Sequence, residues 1–232
     1  MIKYKKIALL TASMALAGAA QAGTLLDASS YATLDNKSNV TIDGVTFTSS
    51  GGAFGLKSVN GSSGVGVRGG ASGNEIDIGE SITMSFAAQI VSDFSLALLY
   101  NGPEFGDYRE IAQVSAFNGN ALVGSFTLTA GVDGSAPGAV WSGSSGVVSN
   151  LSLPTVEAGA GWLVSGNPFG IGNVTSLRFT SLASTLCQSQ CNNQSDYVVS
   201  SVHAVPEPGT YALMAAGLGA LGFVARRRRP QA

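Results

Sequence analysis

The sequence predicts a mainly β protein: an antiparallel β-sandwich of jelly-roll type between a signal-peptide helix and a C-terminal transmembrane helix. Three observations carry this. Apolar and hydroxyl residues alternate with period two in short runs. Asn-Gly and Asp-Gly turn signals separate the runs. The 31 glycines, with abundant Ser and Thr, leave no stretch suited to a long amphipathic helix.

Residues 1–22 form three zones. Met1 to Lys6 is basic, Ile7 to Gly18 is apolar, and Ala20-Gln21-Ala22 is a small-x-small site before Gly23. This is the pattern of a cleaved secretory signal peptide, whose apolar zone is short for a membrane span. An exported chain is expected.

Residues 23–204 are expected to be the sandwich ectodomain. Val40 and Ile42 alternate with Thr41 and Asp43, and Val45 and Phe47 with Thr46 and Thr48. Ile82, Met84 and Phe86 make one run, and Phe94, Leu96 and Leu98 the next. Phe126 and Leu128, Leu177 and Phe179, then Val198 and Val202 complete the series. About nine to eleven strands are expected at this spacing, with one apolar face each. The turn signals are Asp43-Gly44, Asn60-Gly61, Asn101-Gly102-Pro103, Asn118-Gly119-Asn120 and Asp133-Gly134.

Seven of the 12 cations lie in the two terminal segments. Between Asp27 and Asp196, five cations face thirteen carboxylates, a balance of −8. An acidic domain without a basic stripe excludes phosphate-backbone binding, so no nucleic-acid partner is expected.

The acidic residues form the one constellation suited to a ligand. Glu75 and Asp77 are expected on one strand face, opposite Ile76 and Ile78. The turn-rich stretch from Asn101 to Glu110 holds Glu104, Asp107 and Glu110, with Arg109 as a local partner. Glu75, Asp77, Asp107 and Glu110 are candidate calcium ligands, because Ca²⁺ takes six to eight oxygens in flexible geometry. A solvated acidic rim is the plainer reading. A glycosidase pair would need an aromatic-rich cleft, and none accompanies these carboxylates.

No catalytic set is apparent, and no enzyme is expected. His203 is the sole histidine and is expected near a strand end. Gly-x-Ser-x-Gly is absent before any helix. Gly64-Val65-Gly66-Val67-Arg68-Gly69 fits a dinucleotide fingerprint by letter, but Gly70 to Gly73 open no helix, so it reads as a flexible loop with no cofactor. Cys187 and Cys191 are the only cysteines; export favours a disulfide stapling a loop before the last strand, worth about 2 kcal/mol. A zinc site would need further soft ligands beyond His203.

The C-terminal tail, residues 205–232, carries the most specific pattern. Val205-Pro206-Glu207-Pro208-Gly209-Thr210 precedes the uncharged stretch Tyr211 to Ala225, and Arg226, Arg227, Arg228 and Arg229 follow. Residues 210–225 are expected to form a transmembrane helix. The fifteen residues from Tyr211 span about 22 Å, short of the roughly 30 Å hydrocarbon core, with snorkelling arginine stems covering part of the difference. The arginines place the C-terminus on the cytoplasmic side. Pro206 and Pro208 hold the backbone extended and outside helical hydrogen bonding, as an unpaired strand that a protease cleft can grip.

This tail resembles the PEP-CTERM sorting domain of exported Gram-negative proteins, whose producers also make exopolysaccharide. The resemblance implies recognition at Pro206, Glu207 and Pro208 by an exosortase, a membrane-embedded cysteine protease-transpeptidase. It also implies transient anchoring in the inner membrane and delivery to the cell surface or matrix. The expected function is a non-enzymatic structural or biofilm-associated surface protein. The alternative is a carbohydrate-binding or adhesin module, calcium-dependent or not, stacking sugars on Trp141, Trp162 and Tyr108.

Overall fold

The computed structural model describes residues 23–100, 109–130, 138–152, 160–183, 195–206 and 216–219. The expected signal peptide, the acidic loop at 101–108, both cysteines, and all but four residues of the tail beyond Pro206 lie outside them.

The described residues between 23 and 206 form thirteen strands and one short helix, against the nine to eleven strands expected. In chain order they are β1 (Gly23–Leu26), α1 (Ala28–Leu34), β2 (Asn39–Ile42), β3 (Val45–Ser50), β4 (Phe54–Val59) and β5 (Ser62–Val67). Then come β6 (Ser81–Ala97), β7 (Ile111–Asn118), β8 (Ala121–Ala130), β9 (Ala139–Trp141) and β10 (Val147–Asn150). The series closes with β11 (Gly161–Ser165), β12 (Val174–Leu182) and β13 (Val198–Pro206). All strand pairings between them are antiparallel.

The organising element is β6. The two runs read separately from the sequence are one strand of 17 residues. Its first half pairs with β3 through Ser81–Ser85 and with β12 through Ser81–Gln89. Its second half pairs with β13 through Gln89–Ala97 and with β11 through Asp93–Ala97. One strand therefore serves two arms, β2-β3-β6-β12-β7-β8-β9 and β4-β5-β13-β6-β11-β10, with β1 on the outer side of β13.

Register shifts mark the hinge between the arms. From Val174↔Gln89 to Ser176↔Ser85, β12 advances two residues while β6 advances four. A second shift lies between His203↔Asp93 and Ala204↔Val91. Such bulges bend a strand and increase its twist. They also interrupt its alternation: Ile82, Met84 and Phe86 are buried, Ala87 and Ala88 are exposed, and burial resumes at Val91, Phe94 and Leu96.

The arms fold over each other around a shared aromatic core. Phe94 of the second arm lies 6.1 Å from Phe179 and 5.3 Å from Trp141 of the first, ring centroid to centroid. Phe169 completes the group at 5.8 Å from Phe94. Complete burial of Phe94 contributes about 1.5–3 kcal/mol. At the far ends of the arms, the Ile76 amide donates to the Tyr197 carbonyl (2.8 Å) and Tyr197 Oη to the Thr180 carbonyl (3.0 Å). The register thus defines a hinge end near Gln89 and a distal end, where Ser81 and Ala97 come back together.

The hairpin turns fall where the residue types require them. Asp43 and Gly44 take φ of 49° and 82°, and Asn60 and Gly61 take 49° and 92°, the left-handed pairs that tight hairpins need. Helix α1 is capped by Asp27, which accepts from the Ser29 amide at 2.9 Å. Tyr31 pins the helix to β13 by donating to the Ser200 carbonyl at 2.6 Å, and burial raises its hydroxyl to about 12.

Two expectations are corrected. The Gly64–Gly69 stretch is not a flexible loop: Ser62–Val67 is strand β5. Its glycines serve close packing, since a Cβ on Gly66 would stand 2.3 Å from the Asn74 carbonyl oxygen and one on Gly64 would stand 2.6 Å from Val198 Cγ2. The Asn74–Glu80 stretch, expected as a strand, is a run of turns and bends with one isolated bridge, Ile78↔Ser181. It lies against the glycine-lined surface of β4 and β5 instead of adding a strand beside them.

Gly66→Ala is expected to lower stability by about 1–3 kcal/mol through overpacking against backbone. Gly138→Ala, whose Cβ would meet nothing within 4 Å, is the control and is expected to melt close to the parent in thermal denaturation followed by circular dichroism.

Candidate functional site

The distal end gathers the carboxylates. Glu75, Ile76 and Asp77 are 2%, 0% and 5% exposed, whereas Ile78 is 39% exposed, so the expected separation of an acidic face from an apolar one is not seen. The cause is the turn geometry: without a strand, side chains at 75–78 do not alternate, and Asn74 to Asp77 pack onto glycines that leave room for them. Glu75 is ion-paired with Lys57, which also donates to the Ser72 carbonyl at 3.2 Å. Asp77 accepts from the Ser72 amide (3.1 Å) and hydroxyl (2.7 Å). Glu80 accepts from the Asp77 amide at 3.0 Å. Side-chain hydrogen bonds further link Glu75 to Asp196 and to Ser72.

Of the four expected calcium ligands, the structure brings Glu75 and Asp77 together through Ser72. Glu110, 2% exposed, accepts instead from the Tyr100 amide at the base of its own loop. Asp107 lies outside the described residues. Among those residues no group of three or more His, Cys, Asp and Glu side chains is placed to hold a metal ion. These carboxylates hold the 70–80 segment and the 100–110 loop base to the sheet. Lys57, Ser72, Glu80 and Asp196 complete that network, and the sequence carried no signal for them, because 18 residues separate Lys57 from Glu75 and 121 separate Glu75 from Asp196.

Glu104 and Asp107, the expected local partners of Arg109, lie outside the described residues; among the described ones the Arg109 Nε is buried with no hydrogen-bond partner, and its φ of 66° is in the left-handed region. Trp141 and Trp162, the expected stacking residues, are 8% and 2% exposed and belong to the core. Trp162 donates its Nε1 hydrogen to the Leu99 carbonyl at 2.8 Å. Tyr108 lies outside the described residues.

The hinge end gathers the chain's entry and exit. His203 sits within β13, with its Nδ1 2.6 Å from Asp93 Oδ1, and Ser92 donates to the other Asp93 oxygen at 2.9 Å. Strand β13 continues past the expected boundary at 204, for Val205 pairs with Ile90 and Pro206 with Gln89. Pro206 is therefore extended, as expected, yet paired rather than free. A proline is tolerated there because the strand ends with it and no further ladder donor is needed. Gly23, the first residue after the small-x-small site, pairs with Ala204. The start of the ectodomain and its exit into the tail are thus neighbours on adjacent strands.

Among the described residues no helix is long and apolar enough to cross a membrane. Residues 216–219 of the expected span are helical, and the remainder of 210–225, with Glu207, Pro208 and the four arginines, lies outside the described residues.

Burial raises the Glu80 carboxyl, and the nearby Asp77 charge raises it further against the lowering hydrogen bond from the Asp77 amide. Burial likewise raises Glu75, opposed by Lys57. The folded chain then binds protons at these sites more tightly than the unfolded chain. Their contribution falls as pH rises above the ordinary glutamate range of about 4.3. Glu80→Gln retains an acceptor for Asp77 and is expected to flatten the dependence of melting temperature on pH between about pH 4 and 7. An unchanged pH profile would count against burial of this carboxylate.

No curated protein and no solved structure shows a significant match to the chain. Residues 204–229 match the PEP-CTERM protein-sorting motif, which covers the exit from β13 onward and supports an exported chain targeted to an exosortase.

Proposed function

We propose that this chain is a cell-surface or matrix protein whose folded domain is cargo and whose tail is its address. The carrying observation is that the sorting motif begins at Ala204, inside the last strand of the fold, so no linker separates cargo from address. In this reading the signal peptide starts export and is removed before Gly23. Residues 210–225 then anchor the precursor in the inner membrane, with Arg226 to Arg229 on its cytoplasmic side. An exosortase cuts near Pro206-Glu207-Pro208 and passes the domain outward.

The folded-over sheet is a jelly-roll-like sandwich with a non-enzymatic, structural role in a biofilm matrix, and exopolysaccharide is its partner there. Buried carboxylates engaged with Lys57 and backbone amides support stability as their role, and the dense aromatic core supports a durable module.

Replacing Pro206 and Pro208 together by Ala is expected to leave the precursor in the membrane fraction with its tail intact, read by intact-mass analysis. Pro208→Ala alone tests the motif without touching β13. Release at unchanged mass in both variants would overturn the sorting role. The mature parent is expected to begin at Gly23. Its co-sedimentation with the producer's own exopolysaccharide tests the matrix role, and a protein left wholly in the supernatant would remove it.

A further inference from the structure

The two ends of the fold differ in more than their loops. The hinge end comprises the turn at 43–44, the β7–β8 hairpin at 118–123, the β9–β10 connection at 142–147, the β11–β12 connection at 166–173, Gly23 and Pro206, as the strand registers place them. Among the described residues between 23 and 206, seven large hydrophobics are exposed, and four of them lie here: Leu122 at 57%, Val123 at 43%, Val147 at 64% and Ile171 at 82%. They come from three separate places: the start of β8, the start of β10 and the β11–β12 connection. The Gly119 amide donates to Thr175 Oγ1 at 2.8 Å, which joins the β7–β8 hairpin to the start of β12 beside the connection that carries Ile171.

Charge is distributed the opposite way. The hinge-end turns contain one charged residue, Asp43, and the nearest others, Asp93 and His203, face each other at 2.6 Å. Glu75, Asp77, Glu80, Glu110 and Asp196 all lie towards the distal end. An exposed leucine or valine alone has no meaning. Four apolar side chains gathered at the end that both chain exits share, whose turns carry a single charge, do have one, although Ile78, Val140 and Leu151 are exposed towards the distal side.

We infer that the hinge end is a lipid-facing surface, resting on the bilayer while the precursor is anchored; this depends on the anchored-precursor reading above. Chain length enforces the approach. From Pro206 to Tyr211, where the uncharged stretch begins, is five residue steps, at most about 18 Å when fully extended. The polar headgroup layer takes up about 5–7 Å of that on one side. The tether therefore holds Pro206 within about 11–13 Å of the headgroup surface, and the end it brings nearest is the one carrying Leu122, Val123, Val147 and Ile171. Such side chains partition into the headgroup boundary.

The test uses the full chain reconstituted in vesicles of phosphatidylethanolamine and phosphatidylglycerol with brominated acyl chains, which quench nearby tryptophan. Leu122→Trp, Val147→Trp and Ile171→Trp each add a reporter at a separate place on the hinge end, and Leu151→Trp adds one at the distal side. Emission is compared with the parent, whose Trp141 and Trp162 give a fixed background, and flotation reports anchoring independently. Flotation with quenching of the three hinge-end reporters, and none at 151, is the expected result. Flotation without that quenching overturns the lipid-facing end and leaves anchoring intact. Equal quenching at all four positions also overturns it, because the domain would then have no preferred end. Failure to float overturns the anchored precursor and this inference together.

Discussion

Everything in this fold depends on one strand bonding to four others. β6 gives its first half to β3 and β12 and its second half to β11 and β13, and the bulges between them let the same backbone bend from one arm into the next. Antiparallel pairing satisfies the backbone groups on both sides of β6 in each arm, so the bend leaves few groups without partners. The aromatic group around Phe94 is the complement of that bend. It fills the space between arms that a straight strand would have held apart.

The distal closure is a second constraint, and it is polar. Glu75, Asp77 and Glu80 are carboxylates in a region with little water, each met by a cation, a hydroxyl or a backbone amide. Breaking such a network by removing one partner costs more than the network contributes when whole. It is built on Gly55 and Gly66, which face each other across β4 and β5 and leave a depression where the 70–77 segment lies. Small residues in the sheet and acids in the covering segment are two halves of one packing arrangement.

The legible parts of this fold were those with local causes. Asp43-Gly44 and Asn60-Gly61 announce their turns because only a few residue types accept two successive left-handed φ values. Period-two alternation located most strands for an equally local reason. β6 escaped as a single strand because the lapse in alternation at Ala87 and Ala88 looks like a break from within the sequence. β5 escaped because a glycine strand has no side-chain pattern to alternate. The burial of Glu75 was illegible, since Lys57 and Asp196 reach it only through tertiary structure. The tail, by contrast, was readable as written: a sorting signal must be recognised without a fold, so its chemistry stays in short linear order.

One consequence follows from where β13 ends. It lies between β6 on one side and β1 and β5 on the other, and its last residues run straight into the tail. Under the proposed anchoring, a pull on the tail would run along the axis of that strand. The bonds flanking it then bear the load side by side, in shear, instead of peeling one after another like a zip. A module held by this strand is fastened through the part of its architecture best arranged to resist being drawn out.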